Sequence, residues 1–290
     1  MTAPSAKFVT AATVARSPAL DLDAKPERWQ TGPPFDALDL RPGRVVLIGA
    51  PPGAGKTTLT LQLVSGVLVN HPNLRAVVGN VEMAPAALVE KLLARLARVP
   101  LDAIQDRTFT ADERQRVESG KADHAALLDR IGFLEPPFTL RHLAGALVAF
   151  EARLAVIDYA QRFGTGDGDD RAKLDALMSG VRVLANAGAC VVLVSSVARQ
   201  KSNNGSSTYA GLNLASFRGS SEIEFGADAA YILDADPKSG VAAMKCEKDR
   251  FRQARDVPLR FNGALQTFTA GEPLDQFDAA PEPKTRKGKK

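Results

Sequence analysis

The segment Ala50-Pro51-Pro52-Gly53-Ala54-Gly55-Lys56-Thr57 constrains this chain more than any other feature. It follows an apolar run, Arg44–Gly49, and opens a stretch, Thr57–Asn70, in which Leu59, Leu61, Leu63 and Val64 supply the apolar material of a helix. A glycine-rich turn between a buried strand and a helix is the context of a phosphate-binding loop. Gly53 and Gly55 let the backbone curl so that N–H groups point at phosphate oxygens, and the helix N-terminus adds partial positive charge. This assigns Gly53, Ala54, Gly55, Lys56, Thr57 and Thr58 to nucleotide binding, with Lys56 on the β- and γ-phosphates and the Thr57 hydroxyl on Mg²⁺. Ala50 stands where such loops usually begin with Gly, a change that a negative φ tolerates.

The rest of the pattern fits that start. Ala76–Asn80, Leu154–Asp158 and Cys190–Ser195 read as further buried strands, with helices over Pro85–Val99 and near Arg171–Ala187. Continuous apolar strands alternating with helices predict an α/β fold, a mostly parallel sheet covered on both faces. After Ala229–Leu233, the short runs Ala242–Cys246, Val257–Phe261 and Thr267–Thr269 have no helices between them, which predicts antiparallel edge strands at the C-terminal end. Residues 100–130 are helical and charged, with no evident place in the sheet.

Roughly 240 residues without a repeat or linker point to one domain over residues 31–270. It is flanked by a flexible arm, 1–30, and a disordered basic tail, 271–290. The tail corrects a first impression from charge. The chain carries +4, but residues 284–290 hold five positive charges, so residues 1–283 sum to −1. Charge alone therefore does not single out nucleic acid. No apolar run is long enough to span a membrane, and two cysteines cannot make a disulfide framework, so a cytoplasmic protein is expected. The three histidines lack metal-ligand spacing, and Trp29 reads as a packing residue.

A phosphate loop needs a carboxylate at the end of another buried strand to hold Mg²⁺ through water. Asp158 closes Leu154-Ala155-Val156-Ile157 and fits that role. Glu82 follows the strand Ala76–Asn80 and so falls at the carboxyl edge, where ligands bind. It suits a water-activating group, or a glutamate favoured at the start of the Pro85 helix.

Several blocks resemble, in order, the RecA-like motor domain of DnaB-type replicative helicases. They are the Ala-headed phosphate loop, Val81-Glu82-Met83, Ile157-Asp158-Tyr159-Ala160-Gln161, Ser195-Ser196-Val197-Ala198-Arg199, Phe217-Arg218-Gly219-Ser220-Ser221-Glu222-Ile223-Glu224 with Ala227-Asp228, and Lys248-Asp249-Arg250. The resemblance spans roughly residues 30–270 and implies an ATP-hydrolysing, Mg²⁺-dependent ring motor, a hexamer acting on single-stranded DNA in replication. It makes Glu82 the water-activating carboxylate and Ser195 and Ser196 the sensor position. It also makes Lys248 and Arg250 groups that reach the γ-phosphate of a neighbouring subunit.

Two departures stand out. Ser196 occupies a position where the family usually has Gln, and these residues include no counterpart of the family's helical N-terminal domain. Two loops would face the pore of a ring, Gly164–Asp170 and Gln200–Leu214. Asp167, Asp169 and Asp170 would repel phosphate, so Arg171, Lys173, Arg199 and Lys201 must supply the attraction; Tyr209 is the one aromatic there. Three readings follow: a helicase, a nucleic-acid-associated ATPase without unwinding, and an ATPase that regulates a protein partner, with replication or mobile-element proteins as associates.

Overall fold

The computed structural model describes residues 9–17, 20–163, 170–197, 200–201, 207–208, 213, 216–217, 226–236 and 239–272, with backbone alone at 170–171, 200–201 and 207–208. In chain order the first elements are α1 (Ala11–Ala15), β1 (Val45–Ala50), α2 (Lys56–Asn70), β2 (Ala76–Asn80), α3 (Pro85–Ala97), α4 (Leu101–Gln105), α5 (Ala111–Asp123) and α6 (Ala125–Leu128). Then come β3 (Ile131–Phe133), α7 (Leu140–Ala149), β4 (Leu154–Asp158), α8 (Asp170–Asn186) and β5 (Cys190–Ser196). The short pair β6 (Gln200–Lys201) and β7 (Ser207–Thr208) precedes β8 (Ala229–Ala235), β9 (Val241–Asp249), β10 (Val257–Asn262) and β11 (Thr267–Ala270).

Nine strands form one sheet in the order β11-β10-β9-β8-β1-β5-β4-β2-β3. The six from β8 to β3 run parallel, and β9, β10 and β11 turn antiparallel at one edge. Every residue of β1, β2 and β4 is buried, as expected of strands covered on both faces. Side-chain alternation divides the interior in two. Val46 and Ile48 join Leu59, Leu63 and Val67 of α2 in one core, while Val45 and Leu47 join Leu174, Leu177 and Val181 of α8 in the other. The antiparallel edge appears where the spacing of the apolar runs puts it, because strands joined by short turns can only reverse.

Residues 100–130 lie off the sheet. There α4 and α5 pack on α3 through a small third core that includes Leu93, Ala97, Ile104 and Val117. Around the main sheet, two elements in particular are not evident from sequence, as α1 and the β6–β7 pair are not farther out. Strand β3 has three residues, one of them glycine, and α7 is announced mainly by Thr139, whose hydroxyl accepts the His142 N–H.

Residues just before position 31 belong to the body rather than to an arm. Trp29 is 2% exposed and pairs with Leu40, and Arg153 grips Glu27 with two hydrogen bonds of 2.9 and 2.8 Å. Burying an indole outweighs the polar character of its neighbours. Gly66 on α2 makes the approach possible, since a Cβ there would collide with the Thr31 carbonyl oxygen.

Register puts the site together. Across the parallel strands Ala50 stands opposite Ser196, Ile157 opposite Leu193, and Asn80 opposite Asp158. The carboxyl ends of β1, β5, β4 and β2 therefore finish along one edge of the sheet.

Candidate active site

At that edge the phosphate loop turns out of β1 and into α2. Gly53 and Gly55 both have left-handed backbone, φ +80° and +88°, which glycine adopts without steric cost. Nothing lies within 4 Å of where a Gly53 Cβ would be, so it is the left-handed backbone and not crowding that calls for glycine there. Gly55 is the N-cap of α2 and offers no side chain to the helix N-terminus, which suits it to an anionic ligand. Lys56 Nζ donates to the carbonyls of Ala50 at 3.3 Å and Pro51 at 3.1 Å, which holds the ammonium across the mouth of the loop.

Asp158 lies beside Thr57. The Thr57 hydroxyl donates to Asp158 Oδ2 at 2.7 Å, and Asn80 Nδ2 donates to the same oxygen at 2.7 Å. Burial pushes the Asp158 carboxyl above its usual value, and the charge of Glu82 adds to the rise. Hydrogen bonds from Thr57 and Asn80 and the charge of Lys56 act the other way. A buried carboxylate next to a hydroxyl is a hard-oxygen donor set, the kind that Mg²⁺ selects. Thr57 and Asp158 are the residues that would hold the ion, directly or through water.

The sequence does not single out Asn80, yet it links two of the residues that the sequence does. Its Oδ1 accepts the N–H groups of Glu82 at 3.0 Å and Met83 at 2.7 Å, while its amide holds Asp158. The available signal is its place, the last residue of a buried strand two positions before Glu82. Glu82 itself is exposed on the wall of a cleft of about 450 Å³ that includes Gly53, Lys56, Thr57, Asp158 and Ser196. Tyr159 in the same wall has its phenol pushed up by burial and by the negative charge of Glu82.

The other side of the cleft is the β10–β11 hairpin. Gln266 Oε1 accepts from the Thr58 hydroxyl at 2.5 Å and from Lys91 Nζ at 2.7 Å, and its amide donates to Gly263 O. Thr58, assigned to the nucleotide, is thus 4% exposed with its hydroxyl turned to the hairpin. Phe261 stacks on Phe268 at 4.5 Å and reaches the cleft wall.

Ser195 and Ser196 end β5 next to the cleft. Gln161, from the 3-10 turn after β4, donates to Ser195 Oγ at 2.7 Å and accepts the Ser196 N–H at 3.3 Å. A carboxamide therefore does stand beside the sensor position, supplied by the turn that follows β4.

Lys248 and Arg250 are elsewhere. β9 runs antiparallel to β8, Asp249 stands opposite Ala229, and Arg250 N–H donates to Asp228 O, next to the first residue of β1. Six residues of β1 separate that end from the phosphate loop, about 20 Å at strand rise. Within one chain the two residues stay apart from the cleft. A β-bulge at Ala230/Tyr231 interrupts the pairing just before Lys248.

Of the pore-loop residues, Lys173 lies half-buried on the first turn of α8, and the backbone of Arg171 is on the same turn. Lys201 belongs to the β6–β7 pair, with its side chain outside the described residues, as are Arg199, Tyr209 and most of the loops Gly164–Asp170 and Gln200–Leu214. The block Arg218–Glu224 is outside them too. Among the described residues no helix is long and apolar enough to cross a membrane.

The model of the DnaB-like helicase C terminal domain matches residues 36–270. The chain belongs to this family. One relative, the replicative DNA helicase DnaB of Leifsonia xyli subsp. xyli (strain CTCB07), is 25% identical over 268 residues, which is 84% of this chain. The chain spans 57% of that relative's length. Two solved structures share the fold at 16% identity. One, described as an ATPase domain, has a TM-score of 0.69, covering 80% of this chain and 86% of that one. The other, a DnaB-like replicative helicase described with its interactions with primase, has a TM-score of 0.71, covering 80% of this chain and 58% of that one. The RecA-like α/β architecture expected from the phosphate loop onward is the architecture of this DnaB-like domain.

Proposed function

We propose that the chain is an ATP-hydrolysing, Mg²⁺-dependent ring motor that acts on single-stranded DNA in replication, as a cytoplasmic homo-oligomer and in the family's manner a hexamer. The observation that carries this is the shared oxygen of Asp158, held by Thr57 from the phosphate loop and by Asn80, which also sets the turn at Glu82. One network ties the group that would hold the ion to the group that would act on water. ATP would lie with its phosphates over Gly53, Ala54 and Gly55 and against Lys56. When bound, Mg²⁺ would offset phosphate charge. Glu82, on the cleft wall, would take the proton of the attacking water. Residues 31–270, together with the packed segment from Glu27, would form the motor, and residues 271–290 a basic tail.

Lys248 and Arg250 fit this scheme only in trans, since they lie at the opposite end of β1 from their own cleft. Arg171, Lys173, Arg199 and Lys201 would contact the strand. A forked duplex strand-displacement assay, run beside DNA-stimulated ATP turnover, tests the proposal. Stimulated turnover with strand displacement supports it, and no stimulation by any single-stranded DNA at low salt refutes a nucleic-acid motor.

Ser196 favours a second reading, a DNA-associated ATPase that does not unwind. The side chain is too short for the reach of the glutamine usual there, and Gln161 binds the backbone of Ser196 instead. Stimulated turnover without displacement would select this reading.

A further inference from the structure

A second cavity lies on the outer side of the β10–β11 hairpin. It measures about 720 Å³ and is lined by Arg95 and Arg98 from the end of α3, and by Arg260, Asn262, Thr267 and Thr269 from the hairpin. Phe261 and Gly263 belong to its wall and to the wall of the ATP cleft. The hairpin is thus a partition between the two.

The three arginines carry the inference. Among the described residues, none of their guanidiniums has a carboxylate partner or a hydrogen bond. The carboxylates around α3 are engaged elsewhere, Glu90 with Arg107 and Asp112 with Arg116. Asp236, nearest along the chain to the opposite rim, accepts from Ser239 Oγ at 2.7 Å. A helix C-terminus favours cations, which accounts for a positive charge at Arg95 or Arg98. It does not account for Arg260, which arrives on another element and faces the same space. Burial also pushes the Arg95 guanidinium below its usual value, the mark of a cation short of water and of counter-charge. Hydroxyls of Thr267 and Thr269 and the amide of Asn262, whose Oδ1 is taken by the Leu265 N–H, complete a wall rich in donors.

We propose that this cavity is a second anion site, which takes a phosphate-bearing ligand in the forks of Arg95, Arg98 and Arg260. Guanidiniums bind phosphate oxygens in pairs, and a volume of this order admits a ligand of nucleotide size. The phosphates come either from a free phosphoanion or from a nucleic-acid strand leaving the ring surface. Because Gln266 ties the hairpin to Thr58 and Lys91, occupancy here also bears on the wall of the ATP cleft.

The test uses the full chain with Lys56→Ala, which weakens phosphate binding at the first cleft, without Mg²⁺. Pyrophosphate is titrated calorimetrically at low ionic strength. One site is expected, weakened tenfold or more by Arg260→Gln and again by Arg95→Gln. Arg260 is exposed on a strand, so its variant keeps the fold, and thermal melting checks both. Competition by a single-stranded oligonucleotide assigns the phosphates to a strand; indifference to it assigns a free phosphoanion. Each supports the site. Absence of pyrophosphate binding, or binding unchanged in both folded arginine variants, overturns it. ATP affinity of the same arginine variants with Lys56 restored separates this result from failure of the first cleft.

Discussion

Arg250 Nη1 stands 3.7 Å from Asp228 Oδ1 of its own chain, and its N–H donates to the Asp228 carbonyl at 2.9 Å. Asp228 also accepts the Val45 N–H at 2.9 Å and Arg182 Nη1 at 3.0 Å. The two residues therefore separate by role. Arg250→Ala should bind ATP nearly normally, leave stability within about 1 kcal/mol because the pair is partly solvated, and slow turnover by about 10³ in the assembled protein. Mixing it with Lys56→Ala should restore some turnover, since one interface can then join an intact loop to an intact finger. Asp228→Ala should instead lower unfolding free energy by about 2 kcal/mol in urea, because it strands the buried Val45 N–H and takes the carboxylate from a half-buried Arg182. Wild-type turnover in Arg250→Ala would remove the finger assignment.

Asp158 has its carboxyl raised above the usual 3.8, so the folded chain holds that proton more tightly than the unfolded chain. Stability from this group is then greatest below the unfolded value and falls as pH rises through the folded one. Asp158→Asn keeps an acceptor for Thr57 and a similar shape without the buried charge. In the absence of Mg²⁺ and nucleotide its melting temperature should equal or exceed wild type once the pH is high enough to ionise the buried carboxyl, while Mg²⁺-dependent turnover is lost. A marked fall in melting temperature would show that the ionised form is needed by the fold itself.

Asn80→Ala removes a bond to Asp158 and both acceptor contacts to the Glu82 turn. The expected outcome is a fall in kcat of roughly ten- to a hundredfold, on the order of one or two misplaced catalytic groups, with KM for ATP changed little. Asn80→Asp keeps both acceptor contacts to the Glu82 turn but loses the donor to Asp158, so it should lower kcat less and shift the pH–rate profile upward, because a second carboxylate beside Asp158 disfavours ionisation. Steady-state kinetics from about pH 5 to 9 decides it.

Gln266→Ala leaves Lys91 without its acceptor, and burial already pushes that ammonium below its usual value. Loss of about 2–3 kcal/mol in denaturant is expected. Lys91→Met in the same chain should recover part of it, since the stranded charge is gone. A double-mutant cycle with no coupling between positions 91 and 266 would refute the link.

Much of this is legible in the sequence because it rests on short-range rules. A strand, two glycines and a helix place Lys56 and Thr57 on their own, and a carboxylate closing an apolar run places Asp158. Asn80 and Gln266 are not legible, because their importance lies in partners 78 and 208 residues away in sequence. Trp29 reads as packing yet falls in a stretch that reads as an arm, since the burial that fixes it comes from Leu40 and Arg153. β3 escapes because three residues carry no period. The antiparallel edge is visible in the spacing of its runs, whereas the arginine cavity is not, since Arg95 and Arg260 meet only through the hairpin fold.

The strands stop in two level pairs, Ala50 beside Ser196 and Asp158 beside Asn80, and Ile157 beside Leu193 sets one pair against the other. Side chains on a strand alternate faces, so the shift of any one strand by a single residue would turn its terminal group away from the others. The register is therefore fixed, and with it the turns just beyond the strand ends, which carry the phosphate loop, Glu82 and Gln161. Length and charge can then vary only farther along the chain, past Gln161 and Ser196, if the phosphate end is to stay as it is. A lineage of such chains could change what those farther segments meet while the geometry of the phosphate end stayed as it was.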